Sequence, residues 1–383
     1  MLGIWGFRRG TVDNTPNLSG LYVHIPFCVT KCPYCDFYSI TDLSLTDTFL
    51  DALEGEARLY ADRSDRYDSL YIGGGTPSVL KPRQIERLFS ILRSSFVFEE
   101  DAEVTTELNP DDVTHEKLDA VRRAGVNRLS IGIQSFDDGE LAFLGRRHGA
   151  AASRHALAMA REAAFGNVGI DLIYGLPGQT PDRWRKTLEE AMTFAPRHLS
   201  CYQLTIEETT SFGRLKREGV FRPAGEERER ELFLLTSEFL EDRGFIHYEV
   251  SNFALSEGLF SRHNRKYWRH VPYLGLGPAA HSFDGARRWW NTRSVTDYCR
   301  LTGEGKRPVD GHEELTPEQL LLERLYLGFR TRDGVAREDL GSSDRPEETL
   351  LRLTGSGLVT VKGERIIPTR RGFLIADRLP LMF

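Results

Sequence analysis

The chain has 383 residues, 40% of them hydrophobic and 28% charged, which is ordinary for a folded globular protein. Fifty Lys and Arg against 56 Asp and Glu leave a formal charge of −6, which argues against bulk nucleic-acid binding. No run approaches the ~18 apolar residues that cross a bilayer. Met1 to Gly10 carries Arg8 and Arg9 after a short apolar stretch with no hydrophobic core behind them, so it reads as neither signal peptide nor anchor. Five cysteines are too few and too unevenly placed for a disulfide scaffold, and three crowd into Cys28 to Cys35. Crowded thiols without a secretion signal read as metal ligands or redox groups in a reducing cytoplasm.

In chain order, β-rich runs at Leu21–Ile25, Ser69–Ile72, Glu103–Leu108, Asn127–Ile133, Val168–Ile173 and His198–Leu204 alternate with amphipathic segments. Those segments are Leu45–Ala61, Arg83–Leu92, His115–Ala124, Ser153–Ala164 and Pro181–Ala195. Thr180 before Pro181 is a good N-cap at a helix start. Six strands with intervening helices predict an α/β fold with a parallel sheet and crossover helices, either open and doubly wound or barrel-like. A charged helix follows at Glu226–Arg243, then an aromatic and Gly-dense stretch, Asn252 to Asn291, that reads as loop-rich. From Thr316 a helix leads to Leu358–Val361 and Ile366–Pro368, a winged-helix-like α+β module. The expected organisation is an extension over 1–18, a barrel over 19–225, a barrel extension over 226–310 and the terminal module over 311–383.

Cys28, Cys32 and Cys35 stand in CVTKCPYCDFYS, a CxxxCxxC spacing directly after the first strand. Three thiolates on one short loop suit three corners of a [4Fe–4S] cluster, leaving the fourth iron without a protein ligand. A closed zinc site would need a fourth ligand, for which His24 is the nearby candidate. Downstream, Gly73-Gly74-Gly75-Thr76-Pro77 ends the second strand, Glu107 the third and Gln134 the fourth, while Asp171 lies in the fifth and Tyr202 and Gln203 in the sixth. A Gly-rich loop alone is most often a tight βα turn, yet polar groups gathered at the carboxyl ends of parallel strands mark the active face of such folds.

The segment SRHNRKYWRH, Ser261 to His270, interleaves Arg262, Arg265, Lys266 and Arg269 with Tyr267 and Trp268. Arg287, Arg288, Trp289, Trp290 and Arg293 follow. This pattern suits a flat π ligand bearing carboxylates, and equally an ordinary surface loop with solvated charges. His263 and His281 are candidate axial ligands to haem iron, though a lone histidine is more often simply hydrogen-bonded. Cys201 and Cys299 read as small packing residues.

The CxxxCxxC loop after an opening strand resembles that of radical S-adenosylmethionine (SAM) proteins, whose fold is a partial (β/α)6 TIM-like barrel and whose open iron chelates SAM. The resemblance implies SAM contacts from Tyr22, Tyr34, Gly74, Gly75, Thr76, Glu107, Gln134, Arg146 and Asp171. YVHIPFC at Tyr22–Cys28, DLIYGLPGQT at Asp171–Thr180, HNRKYW at His263–Trp268 and YLGLGPAAHSF at Tyr273–Phe283 further resemble the radical SAM haem chaperone family. That resemblance runs from about residue 20 to the C-terminus. It implies haem as cargo, His263 as the leading ligand candidate and a haem-acceptor protein as partner, with room for a membrane-bound acceptor and a homodimer. The related enzyme family, oxygen-independent coproporphyrinogen III dehydrogenase, converts propionates to vinyls by oxidative decarboxylation. It carries a further cysteine where this chain has Phe37, which favours the chaperone. The winged-helix-like tail then reads as a lid or partner surface, with no nucleic acid expected.

Overall fold

A computed structural model describes residues 18–63, 65–340 and 346–383; the expected extension, Leu18 apart, lies outside them. The six expected strands form as β1 (Ser19–Ile25), β2 (Arg66–Gly74), β3 (Val97–Leu108), β4 (Arg128–Gln134), β5 (Val168–Tyr174) and β6 (His198–Gln203). They are parallel and neighbour one another in sequence order. This order decides between the two expected architectures. A doubly wound sheet reverses its strand order at a switch point, whereas an unreversed order with right-handed crossovers puts every helix on one face and curls the sheet into a barrel.

The alternation in β1 shows how the two faces divide. Leu21, Val23 and Ile25 are buried in the main core towards the helices, and Tyr22 and His24 point to the barrel interior. On the helical side, Phe49, Leu50, Leu53 and Ala57 form the buried stripe of the helix Thr46–Leu59. Thr180 caps the helix Pro181–Thr193 by accepting from the Arg183 backbone N–H, as expected. Trp184 from that helix is buried and donates to Thr236 Oγ1 at 2.7 Å, tying it to the helix Glu226–Glu241.

The stretch expected to be loop-rich is instead largely regular. It holds β7 (Ile246–Glu249) just before it, then β8 (Asn252–Ala254), the helix Arg262–Trp268, β9 (Tyr273–Leu276), β10 (His281–Phe283) and β11 (Arg287–Asn291), followed by β12 (Val309–Glu314). These strands extend the sheet at both ends, in the order β12-β11-β10-β9-β1-β2-β3-β4-β5-β6-β8-β7. Runs of three to five residues carry too little alternation to register in sequence; they are held by pairing, β9 against β1 and β8 against β6. The barrel therefore stays open between β1 and β6.

The C-terminal module has its own small core, including Leu325, Phe329, Leu353 and Ile366. The helices Pro317–Gly328 and Pro346–Gly355 pack with β13 (Val335–Ala336), β14 (Val359–Lys362) and β15 (Arg365–Pro368), an antiparallel sheet in the order β13-β15-β14. No helix among the described residues is long and apolar enough to cross a membrane.

Glu56, on the helix Thr46–Leu59, locks the β9–β10 turn onto the barrel. It accepts from Tyr298 Oη (2.6 Å), Asn291 Nδ2 (2.6 Å) and the Gly277 N–H (2.8 Å). Gly277 has φ +96°, and a Cβ there would sit 2.4 Å from the His24 carbonyl oxygen, so only glycine fits. Burial pushes the Glu56 carboxyl up to about 7 against its three donors. Because the folded-state value lies above the ordinary 4.5, the folded chain holds the extra proton and stability falls as pH rises from about 4.5 to about 7. Glu56→Gln turns an amide NH2 towards donors. It is expected to destabilise by about 1–3 kcal/mol and to flatten that slope, as measured by urea unfolding at pH 5 and pH 8.

Candidate functional site at the barrel mouth

β1 runs directly into the cysteine loop. The Cys28 N–H donates to Ile40 O (2.9 Å) and the Ile40 N–H to Pro26 O (2.8 Å), closing the loop at its base. Gly145, at φ +63°, lies against Pro33, whose Cδ would be 2.6 Å from a Cβ. The Phe212 N–H holds the Pro33 carbonyl at 2.9 Å. Cys28 is buried, and Cys32 and Cys35 are half-buried; all five cysteines are free. Thr76 Oγ1 lies 3.4 Å from Cys28 Sγ, and Arg146 Nη1 lies 3.6 Å from Cys32 Sγ. Burial, followed by the neighbouring Cys32 and Cys28 charges, pushes the Cys35 thiol up. Three thiols on one loop, with Thr76 and Arg146 beside two of them, are the donor set that suits three corners of a metal cluster.

The single-ion alternative fits less well. Among the described residues no three His, Cys, Asp or Glu side chains are gathered tightly enough to hold one metal ion. His24 is also committed elsewhere: Nδ1 meets Tyr22 Oη at 3.0 Å and Nε2 meets the Tyr38 carbonyl at 2.8 Å. The carbonyl can only accept, so Nε2 carries the proton and Nδ1 accepts from the tyrosine.

The glycine run does more than turn the chain. The Gly75 N–H donates to Ile25 O and the Thr76 N–H to Phe27 O, both at 2.8 Å, and a Cβ on Gly75 would lie 2.7 Å from Phe27 O. Glu107 accepts from Tyr71 Oη at 2.7 Å and from the Gly74 N–H; burial, reinforced by Asp171, pushes its carboxyl up to about 7. Asp171 accepts from Ser130 Oγ at 2.7 Å, the Ser200 hydroxyl also lies against its carboxylate, and burial raises its pKa. Gln134 closes β4 in the left-handed region, at φ +67°. Arg146 donates to Gly132 O at 3.0 Å, while its Nε is buried and unpartnered. Tyr34 lies beside Arg146 and packs on Phe212. Tyr22 lies deeper, facing Tyr71 across the β1–β2 register. Tyr71 itself is a site residue that motif reading missed; its register with the inward-facing Tyr22 was the available signal.

Beside this mouth lies a cavity of about 680 Å³. Tyr22, Tyr71, Gly74 and Glu107 wall it on the barrel side, and His263, Tyr267, Tyr273, His281, Trp290 and Arg293 on the other. Phe37, 67% exposed, stands at its edge. His263 is buried and both its nitrogens are engaged, Nδ1 with Ser69 Oγ (3.1 Å) and Nε2 with Tyr267 Oη (2.8 Å). Burial lowers its pKa to about 3, so it is neutral.

The expected cation cluster is mostly neutralised within the protein. Arg262 pairs with Asp101, Lys266 with Asp68, Arg269 with Asp333, and Arg288 with Glu313 and Glu323. Arg265 and Arg287 lie 4.0 and 3.5 Å from Asp333 and Glu314. Arg293 lines the cavity with no such partner among the described residues. Cys201 is buried in the main core, as expected.

This curled parallel sheet with a three-thiol loop after β1 defines a radical SAM protein, and residues 22–191 match the Radical SAM superfamily. Membership in that superfamily carries a [4Fe–4S] cluster and SAM. Over 384 aligned positions the chain is 35% identical to the heme chaperone HemW of Mycobacterium tuberculosis, covering 97% of both chains. It is 36% identical to HemW of Bacillus subtilis, covering 94% of this chain and 98% of that one. The chain belongs to the HemW family. Among solved structures it is similar to the coproporphyrinogen III oxidase HemN of Escherichia coli, with a TM-score of 0.81 and 27% identity over 95% of this chain and 89% of that chain.

Cys32→Ala is expected to leave the anaerobically reconstituted protein without a full four-iron complement and without its visible cluster absorbance. Iron and sulfide analysis beside the unaltered chain checks this; a full complement in the variant overturns the ligand assignment.

Proposed function

We propose that this protein is a cytoplasmic radical SAM haem chaperone that takes haem into the aromatic cavity and releases it to an acceptor protein. The observation that carries this reading is the shared wall. Tyr22, Gly74 and Glu107, on the SAM side of the barrel, also line the cavity bounded by His263 and Tyr267. A volume of about 680 Å³ falls within the usual range for small-molecule sites, and tyrosine and tryptophan walls suit a flat macrocycle. Arg293 is the cation available for a propionate, and His263 contributes to the cavity wall. The HemW names of its relatives support the same reading, while the HemN fold is common to chaperone and dehydrogenase.

At the barrel mouth, Cys28, Cys32 and Cys35 would hold the cluster. Tyr22, Tyr34, Gly74, Gly75, Thr76, Glu107, Gln134, Arg146 and Asp171 would contact SAM. The buried Asp171 carboxylate suits a donor such as a ribose hydroxyl or an ammonium, and the orphaned Arg146 Nε suits a carboxylate. When bound, the cluster and SAM supply one-electron reducing chemistry at a sulfonium. Glu107 orders the site through Tyr71 and Gly74, and its raised pKa leaves it ready to ionise beside a cation.

Two outcomes test this. SAM affinity of the cluster-loaded protein, measured by equilibrium dialysis, rises between pH 6 and 7.5 as Glu107 ionises. Glu107→Gln weakens it about tenfold, roughly 1.4 kcal/mol, and flattens the rise. Anaerobic haem titration saturates near one haem per chain, and Arg293→Ala weakens binding severalfold. Uptake that does not saturate overturns the chaperone reading.

A further inference from the structure

Three histidines line the cavity, and they differ in what their ring nitrogens are doing. His24 has both engaged, by Tyr22 and by the Tyr38 carbonyl. His263 has both engaged, by Ser69 and Tyr267, and its ring is wedged against β1, where a Cβ on Gly20 would lie only 3.1 Å away. Ligation through a nitrogen of either ring displaces a hydrogen bond already made in a buried setting. His281 is exposed, and neither of its nitrogens has a hydrogen-bond partner among the described residues.

His281 is also held in place. It opens β10 opposite Trp290 of β11, with the rings 5.8 Å apart and 30° from parallel. Its backbone is pressed against Gly275, where a Cβ would lie 2.1 Å from the His281 carbonyl oxygen, and the next residue, Ser282, accepts from the Gly275 N–H at 2.9 Å. It stands where the main cavity meets a smaller one of about 340 Å³; Tyr267, Tyr273 and Trp290 line both as well. Burial and the charges of Arg288 and Arg293 lower its pKa, so the imidazole is neutral, the form that binds metal.

We propose that His281 provides the axial nitrogen to the iron of a bound haem, with Trp290 stacked beside the imidazole and His263 serving as cavity wall. This assignment rests on the haem-chaperone reading. It gives the AAHSF segment a chemical role distinct from that of HNRKYW.

The test is an anaerobic haem titration of the cluster-reconstituted chain, His281→Ala and His263→Ala, followed by the Soret band. Near-infrared magnetic circular dichroism identifies the axial ligand. The unaltered chain is expected to saturate near one haem with a histidine signature. His281→Ala is expected to lose the signature and bind at least tenfold more weakly, with added imidazole restoring both, while His263→Ala keeps the signature. Saturable, histidine-ligated binding that survives in His281→Ala and disappears in His263→Ala overturns the ligand assignment and leaves the chaperone reading standing. Non-saturating uptake by the unaltered chain overturns both.

Discussion

The backbone of Gly75 passes so close to the Ile25 and Phe27 carbonyl oxygens that a single methyl group would not fit between them. That contact joins the end of β2 to the start of the cysteine loop. Thr76 reaches Cys28 and the Gly74 N–H turns to Glu107 because of it. Gly145 against Pro33 makes a second contact of the same kind on the loop itself. Two methyl-free contacts thus hold three thiols at the mouth of a barrel whose strands supply the remaining polar groups.

Those polar groups occupy the inner face of a sheet whose outer face is core, where burial is costly. Glu107 and Asp171 both have carboxyls raised by burial, offset in part by hydroxyl donors from Tyr71 and Ser130. Buried carboxylates of this kind have raised pKa values because their donors offset only part of the cost of burial. Glu56 is an instructive contrast. It too is raised by burial, but its three donors all belong to the chain, and its work is to hold a turn.

Sequence reading located β1 to β6 and their helices because alternation and amphipathic stripes are local properties. It also picked out Gly74, Glu107 and Gln134 at the ends of their strands and Asp171 within the fifth. It missed the regular structure between residues 252 and 291, since strands as short as β10 exist only through pairing with distant partners. It overestimated the free positive charge there, because Asp68, Asp101 and Glu323 pair across long sequence separations with cations that look solvated in the string.

What the sequence alone determined is the chemistry that depends on spacing along the chain. The CxxxCxxC loop, the polar residues Glu107 and Gln134 at their strand ends and the motifs carrying the family resemblance are all of this kind. Tertiary structure alone decided which groups are free. His24, His263 and His281 look equivalent as letters, yet two spend both nitrogens on hydrogen bonds and one does not. Likewise Arg293 lines the cavity with no ion-pair partner among the described residues. A donor's availability depends on the partners that folding brings to it, and those partners come from strands and helices far apart in the chain.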